Sequence, residues 1–439
     1  MPFGFSPLGD DSNDMANMFE QLGRAMRMTS NSDSAVNWDA ALTASRQAIA
    51  KSGDPGASTS QTDAVRAAEQ LANVWLDSAT IFPATNEALQ VISRSQWLES
   101  TFPTWKTIVE PVAQSFSKAM SAMMPSPQDI QEFTLEPQQL DELPEDIRNA
   151  LTQLMGTQDF GAILGQMGNM ARTLSASMFG TQCGETLGEM SLKIHSMTDV
   201  GIKLTTAQKS GIVMANVEQF GADLEVSPVD VTLYIVLREL AHQRLFLNAP
   251  WLESQILNAI ETYARGVHID QERIQELVSN IDPEKLNLDN FGEIQNTIGA
   301  DIFEALITPE QQSALEKLEL LLALIEGWVT VVVRSAVDGR LTSVTALEET
   351  FRRRRAAGGP AERFFSGLVG LDLRPRRLRE ATALWEMFSL HGDSAKRDEI
   401  WSHPDLLPTL EHLDHPSSYF ESESDGLMDE VTKFLKDQQ

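Results

Sequence analysis

Residues 227–246 read SPVDVTLYIVLRELAHQRLF, a run that is apolar on nearly every side of a helix. Ser227 ahead of Pro228 has the form of an N-cap followed by a first-turn proline, and Asp230 suits the positive end of the helix dipole. A helix this apolar belongs in a core. It carries Arg238, Glu239 and His242 with it, into surroundings where unpaired charge is costly.

The neighbouring sequence is of the same kind. Pro250 interrupts the chain, and WLESQILNAIETYARG begins another helix, so residues 216–265 are expected to hold two or three. Residues 313–337 form a further long apolar helix, and its segment LEKLELLLALIEGWVTVVV carries Glu319 and Glu326. Those two are seven apart and lie nearly on one helix face.

Towards the N-terminus, helical spacing marks residues 36–50, and KSGDPGASTSQT then reads as a turn. Thr62 or Asp63 is the expected cap of the next helix. Apolar repeats at three and four run through 84–98, 105–124 and 145–156, with prolines such as Pro83, Pro103 and Pro125 between them. Gly180, Gly184 and Gly188, like Gly161, Gly165 and Gly168, form a stripe of small residues for close helix packing. The fold expected is mainly α, one large helical domain with little β structure.

Composition narrows the function. Of 439 residues, 34 are Lys or Arg and 63 are Asp or Glu, a net charge of -29. So acidic a surface repels phosphate backbones, and no nucleic-acid partner is expected. A single cysteine, Cys183, excludes an intrachain disulfide framework and is read as a packed core thiol. No apolar window is long and uncharged enough for a membrane span, and the start MPFGFSPLGDDSND has no leader pattern. The expectation is a cytoplasmic protein without a membrane partner. Its domains divide into a partly disordered segment with short helices (1–61), the helical domain (62–420, with the core site in 216–340 and an Arg-rich segment at 351–380) and an acidic tail (421–439).

The chemistry centres on Arg238-Glu239-Leu240-Ala241-His242. Zinc peptidases place two His at i and i+4 on one helix face, with a Glu after the first His acting as general base on metal-bound water. Here the Glu and the second His are in place. The first position is Arg, a permanent cation that cannot bind a metal. Spacing alone carries little weight, since a core histidine beside a helix ion pair gives the same letters.

The chain resembles the actinobacterial zincin-like family labelled as zinc-dependent metalloproteases or hydrolases. The resemblance covers most of 145–420. It rests on LYIVLRELAHQRLFLNAPWL, LALIEGWV, RRRRAAGGPAERFFSGLVGLDLRPRRLREATALW and IWSHPDLLPTLEHLDHP. It implies a zincin-like helical domain with zinc as cofactor, Glu239 as catalytic residue, and His242 and Glu326 as metal ligands. Arg238 departs from that pattern. Two ligands hold zinc poorly, so no zinc is expected to stay bound.

The functions that follow are a metal-dependent hydrolase with a degenerate active site or, alternatively, a catalytically silent interaction module with a protein or peptide partner. Arg238 is then a metal-replacing cation. It is expected to pair with Glu326, or with Glu319 as second choice, beside a neutral His242. By the same logic Arg238→His rebuilds a zinc helix.

Two other groups stand out. Residues 351–380 hold nine Arg against three acidic residues. Arg352, Arg353, Arg354, Arg355, Arg374, Arg376 and Arg377 form a candidate patch for an acidic partner, and pairing with the chain's own carboxylates is the favoured alternative. His403, His412 and His415 match no standard metal spacing. Residues 1–34 and 421–439 lack the apolar density to hold themselves down. Limited proteolysis followed by mass spectrometry is expected to trim them first, and protection of either end means that it docks.

Overall fold

Ser227 accepts a hydrogen bond from the Val229 N–H and opens a helix that runs Pro228–Asn248. Every residue from Val231 to Phe246 in it is buried. The computed structural model describes residues 34–123, 160–205, 209–222, 224–266, 308–359, 364–365, 377–391 and 394–420. Expectations placed on 1–33, 145–156, 421–439, Arg374 and Arg376 lie outside them.

In chain order the helices are α1 (Trp38–Ser52), α2 (Thr59–Leu76), α3 (Arg94–Met123), α4 (Phe160–Ser191), α5 (Met214–Ala222), α6 (Pro228–Asn248), α7 (Trp251–Arg265), α8 (Pro309–Ala336), α9 (Val344–Ala356) and α10 (Leu378–His391). Two short ones, α11 (Ser394–Glu399) and α12 (Leu410–Asp414), follow. The β structure among the described residues is one parallel pair, β1 (Gln90–Val91) with β2 (Gly211–Ile212), and an antiparallel bridge between Ser196 and Ile212. The mainly-α expectation therefore holds. No helix of the described residues is long and apolar enough to cross a membrane.

α6 is the central element, packed against α2, α5 and α8, and α8 in turn packs against α7 and α10. Buried polar clamps hold this arrangement. On α6, Arg244 donates to the backbone carbonyls of Phe82 and Asn73 and pairs with Asp77, tying the helix to α2. Asp398 is fully buried and accepts from Thr80, the Ile81 N–H, Trp328 Nε1 and Arg397. It joins α8, α11 and the chain after α2.

Some local expectations are corrected. The apolar repeat at 84–98 is not one helix. Leu89 and Ile92 are buried beside the β1–β2 pair, where Ile92 N–H donates to the Ile212 carbonyl, and α3 starts only at Arg94. Pro103 does not end a helix, because α3 continues through it and through Pro111. An interior proline costs about 3 kcal/mol, which the burial of Trp97, Leu98, Trp105, Ile108, Val109 and Val112 on the same helix offsets. The cap of α2 is Ser58, with Gln61 completing a capping box, and not Thr62 or Asp63.

The second glycine triplet does what its spacing implies. α4 lies against α1 so closely that a Cβ at Gly184 would stand 2.1 Å from the Ala41 carbonyl oxygen, and one at Gly180 2.3 Å from that of Asn37. Ser45 donates to the carbonyls of both Ala41 and Gly184, at 2.8 Å each. Thus α1 packs in the core, with Ala41, Ala44 and Ile49 buried. Cys183 is buried beside this seam, and burial pushes its thiol up to about 12. Gly184→Ala raises helix propensity but drives a methyl into backbone that cannot yield. It is expected to destabilise the protein by about 1–3 kcal/mol, read as a lower urea midpoint, with an unchanged midpoint contradicting the close seam.

Candidate functional site

On α6, Arg238 and His242 stand one turn apart and project from the same face towards α8. Glu326 of α8 meets both. Arg238 Nη2 lies 2.6 Å from Glu326 Oε2, and His242 Nε2 lies 3.0 Å from Oε1. The other ring nitrogen, Nδ1, is 2.9 Å from the Arg238 carbonyl oxygen one turn back. Both nitrogens thus face acceptors. A neutral ring donates to one of them, and the tautomer decides which.

A second guanidinium completes the cluster. Arg355, at the end of α9, places Nη2 2.8 Å from Glu326 Oε1 and also donates to the Asp199 carbonyl. Glu326 is therefore gripped on both oxygens. Burial alone would raise its pKa, but Arg355, His242 and Arg238 outweigh that and hold the carboxyl far below the usual range. The turn at 194–201 roofs the site. Gly201 sits there at φ 75°, and a Cβ on it would come within 2.9 Å of Glu326 Oε1.

That turn carries its own buried pair. Arg354 donates to Asp199 Oδ2 at 3.2 Å and lies 2.9 Å from His195 Nδ1. Burial and the neighbouring Arg354 hold His195 below its ordinary pKa. For Asp199, burial acts upward, yet Arg354, His195 and Arg355 leave it well below the carboxylate range.

Glu239 points elsewhere. Its Oε2 accepts from the Thr198 N–H at 3.0 Å and the Thr198 hydroxyl at 2.6 Å, and its Oε1 accepts from Gln243 at 2.9 Å. It is fully buried. In this structure Glu239 anchors the 194–201 turn to α6 and does not share the Arg238–His242–Glu326 cluster. Glu319 is half-buried two turns earlier on α8, and the carboxylate on Arg238 is Glu326.

The Arg run of α9 does not form one outward patch. Arg352 and Arg353 pair with Glu349, while Arg354 and Arg355 turn inwards to Asp199 and Glu326. Further on, Arg377 pairs with Asp414. His403, His412 and His415 do not converge, for the first accepts from its own Asp405 N–H and the second caps its own short helix.

Zinc does not fit this centre. The donors that could face it are His242 and Glu326, and both oxygens of Glu326 already hold guanidinium N–H groups. A divalent ion placed there would stand against two permanent cations. Among the described residues, no group of three or more His, Cys, Asp or Glu is arranged to hold a metal ion. Arg355, a member of the candidate patch, turns inwards instead, and the Arg run itself does not say which members do so. No motif in the sequence marks Thr198 or Asp199.

A central buried helix bearing an Arg-Glu-x-x-His segment, with a carboxylate supplied by a later helix, has the layout of a zincin-type helical protein. The family model described as zincin-like metallopeptidase matches residues 36–420. The chain belongs to the zincin-like metallopeptidase family. Among solved structures it is similar to a protein from Chloroflexus aurantiacus described as "a putative hydrolase with a novel fold". That pair is 16% identical with a TM-score of 0.56, over 89% of this chain and 99% of the other, a likeness of fold. No curated protein matches the chain significantly.

Replacing Glu326 leaves two guanidiniums facing each other without their counter-charge. Glu326→Gln is expected to cost about 3–5 kcal/mol at neutral pH. The pH dependence follows from the lowered pKa. The contribution of Glu326 is complete above the unfolded carboxylate value of about 4.3 and is lost as pH falls towards its lower folded value. Urea midpoints measured against pH should fall in acid for the parent and less steeply for the variant. Parallel curves refute the charge pairing.

Proposed function

We propose that this chain is a metallopeptidase-family protein with a degenerate centre, in which Arg238 and Arg355 supply the positive charge that a zinc ion supplies in an intact one. It works by binding a protein or peptide and does not cleave it. The observation that carries this reading is Glu326, with one guanidinium on each carboxylate oxygen. Glu239 supports it, since the residue at the position of a general base accepts three hydrogen bonds inside the core. A base needs a lone pair aimed at the proton that it takes.

The alternative, metal-dependent hydrolysis, is favoured by family membership and by the cavity that opens beside Glu326. It requires a zinc ion held by His242 and Glu326, with both arginines displaced.

Metal content separates the two. Protein purified without an affinity tag is expected to carry far less than one zinc per chain. Arg238→His alone restores a His at the first position of the helix, but Arg355 still occupies Glu326 in that variant. We therefore expect measurable zinc affinity only from Arg238→His combined with Arg355→Ala. Stoichiometric zinc in the parent, lost on His242→Ala, overturns the degenerate centre. A folded double variant that binds no zinc shows that the three positions do not converge on one ion.

A further inference from the structure

Beside the cluster lies a cavity of about 440 Å³, walled by Tyr234, Arg238 and Glu326 on one side and by α9 and α10 on the other. This is within the range of small-ligand sites, roughly 300–1,000 Å³. Among the described residues its lining carries five Arg against four Glu. Arg334 pairs with Glu348 and Glu386, and Arg352 with Glu349. Arg238 and Arg355 share Glu326. Arg379 has no carboxylate partner among the described residues and is exposed. The cavity thus holds a surplus of positive charge in a chain of net charge -29.

The surplus selects a class of anion. Glu348, Glu349 and Glu386 face the same space and oppose a dianion such as phosphate. One carboxylate matches the surplus, and its planar oxygens suit guanidinium N–H pairs. Arg238 offers five N–H bonds, of which Glu326 takes one and Tyr234 another.

The remaining lining recognises more than charge. The hydroxyls of Thr330 and Thr382 donate to the carbonyls of Glu326 and Leu378, at 2.8 and 2.7 Å. Only their lone pairs are left for the cavity, and lone pairs accept N–H groups. Phe351, Leu378 and Ala383 add apolar surface.

We propose that this cavity binds the carboxylate end of a short peptide. The carboxylate lies against Arg238 and Arg379, an amide N–H meets Thr330 or Thr382, and the side chain rests on Phe351 and Leu378. The proposal rests on the reading that arginine, and not a metal, provides the charge here.

Calorimetry of the full chain with N-acetyl-alanyl-alanine, with the C-terminal amide of that peptide, and with inorganic phosphate tests it. The free acid is expected to bind at least tenfold more tightly than the amide, and more tightly than phosphate. Adding a chelator should leave its affinity unchanged. Arg379→Gln should weaken the acid about fivefold without lowering the melting temperature, because Arg379 is exposed. Equal affinity for acid and amide, no binding of the acid, preference for phosphate, or an unaffected Arg379→Gln variant each overturns the proposal. In zinc-free protein such results leave the degenerate-centre reading standing. Acid binding that disappears with the chelator, from protein that contains zinc, defeats both.

Discussion

Glu326 is a carboxylate at the centre of an apolar helix, and it is charged. Taking such a group out of water costs several kcal/mol, a cost that only close opposite charge and complete hydrogen bonding offset. The rest of the site is arranged to provide these. Arg238 comes from α6, Arg355 from α9, and His242 fills the remaining angle on Oε1. Gly201 leaves the space that a side chain would take from the carboxylate. One buried charge thereby fixes the relative positions of two long helices, the end of a third and the 194–201 turn.

This arrangement also explains why the polar residues of α6 divide into two functions. Arg238 and His242 look towards α8, whereas Glu239, about 100° further round the helix, looks towards the 194–201 turn and holds Thr198. The turn carries Asp199, which pairs with Arg354, the chain neighbour of Arg355. Two consecutive arginines of α9 thus reach two buried carboxylates from different elements. The Arg238 guanidinium keeps positive charge between the helices, and a guanidinium has no open coordination site and no bound water to activate.

Outside the centre, the same economy of buried polar groups recurs. Asp398 and Arg244 are each enclosed, and each ties α2 or the chain just after it to a later element. The close seam between α1 and α4 adds no charge, and relies on glycines that let two backbones meet.

Much of this was legible in the sequence. Helical spacing, the Ser227–Pro228 start and the apolar run of α6 are local properties, and they predicted a buried helix with Arg238 and His242 on one face. The glycine spacing predicted a close seam. Local patterns failed where a longer-range contact prevailed, as at Leu89–Ile92, where pairing with β2 replaced an expected helix, and at Pro103, where core burial outweighed a helix breaker. They were also silent on partners. Glu319 and Glu326 share a helix face, and only the crossing of α6 and α8 sets Glu326, 88 residues away in sequence, against Arg238. Nothing in RRRR says that Arg354 and Arg355 turn inwards. By itself the sequence determined the helices, their buried faces and the charge that had to be paired, because these follow from the period of the backbone and the cost of desolvation. The tertiary structure decided which groups pair, because that depends on how helices distant in sequence cross.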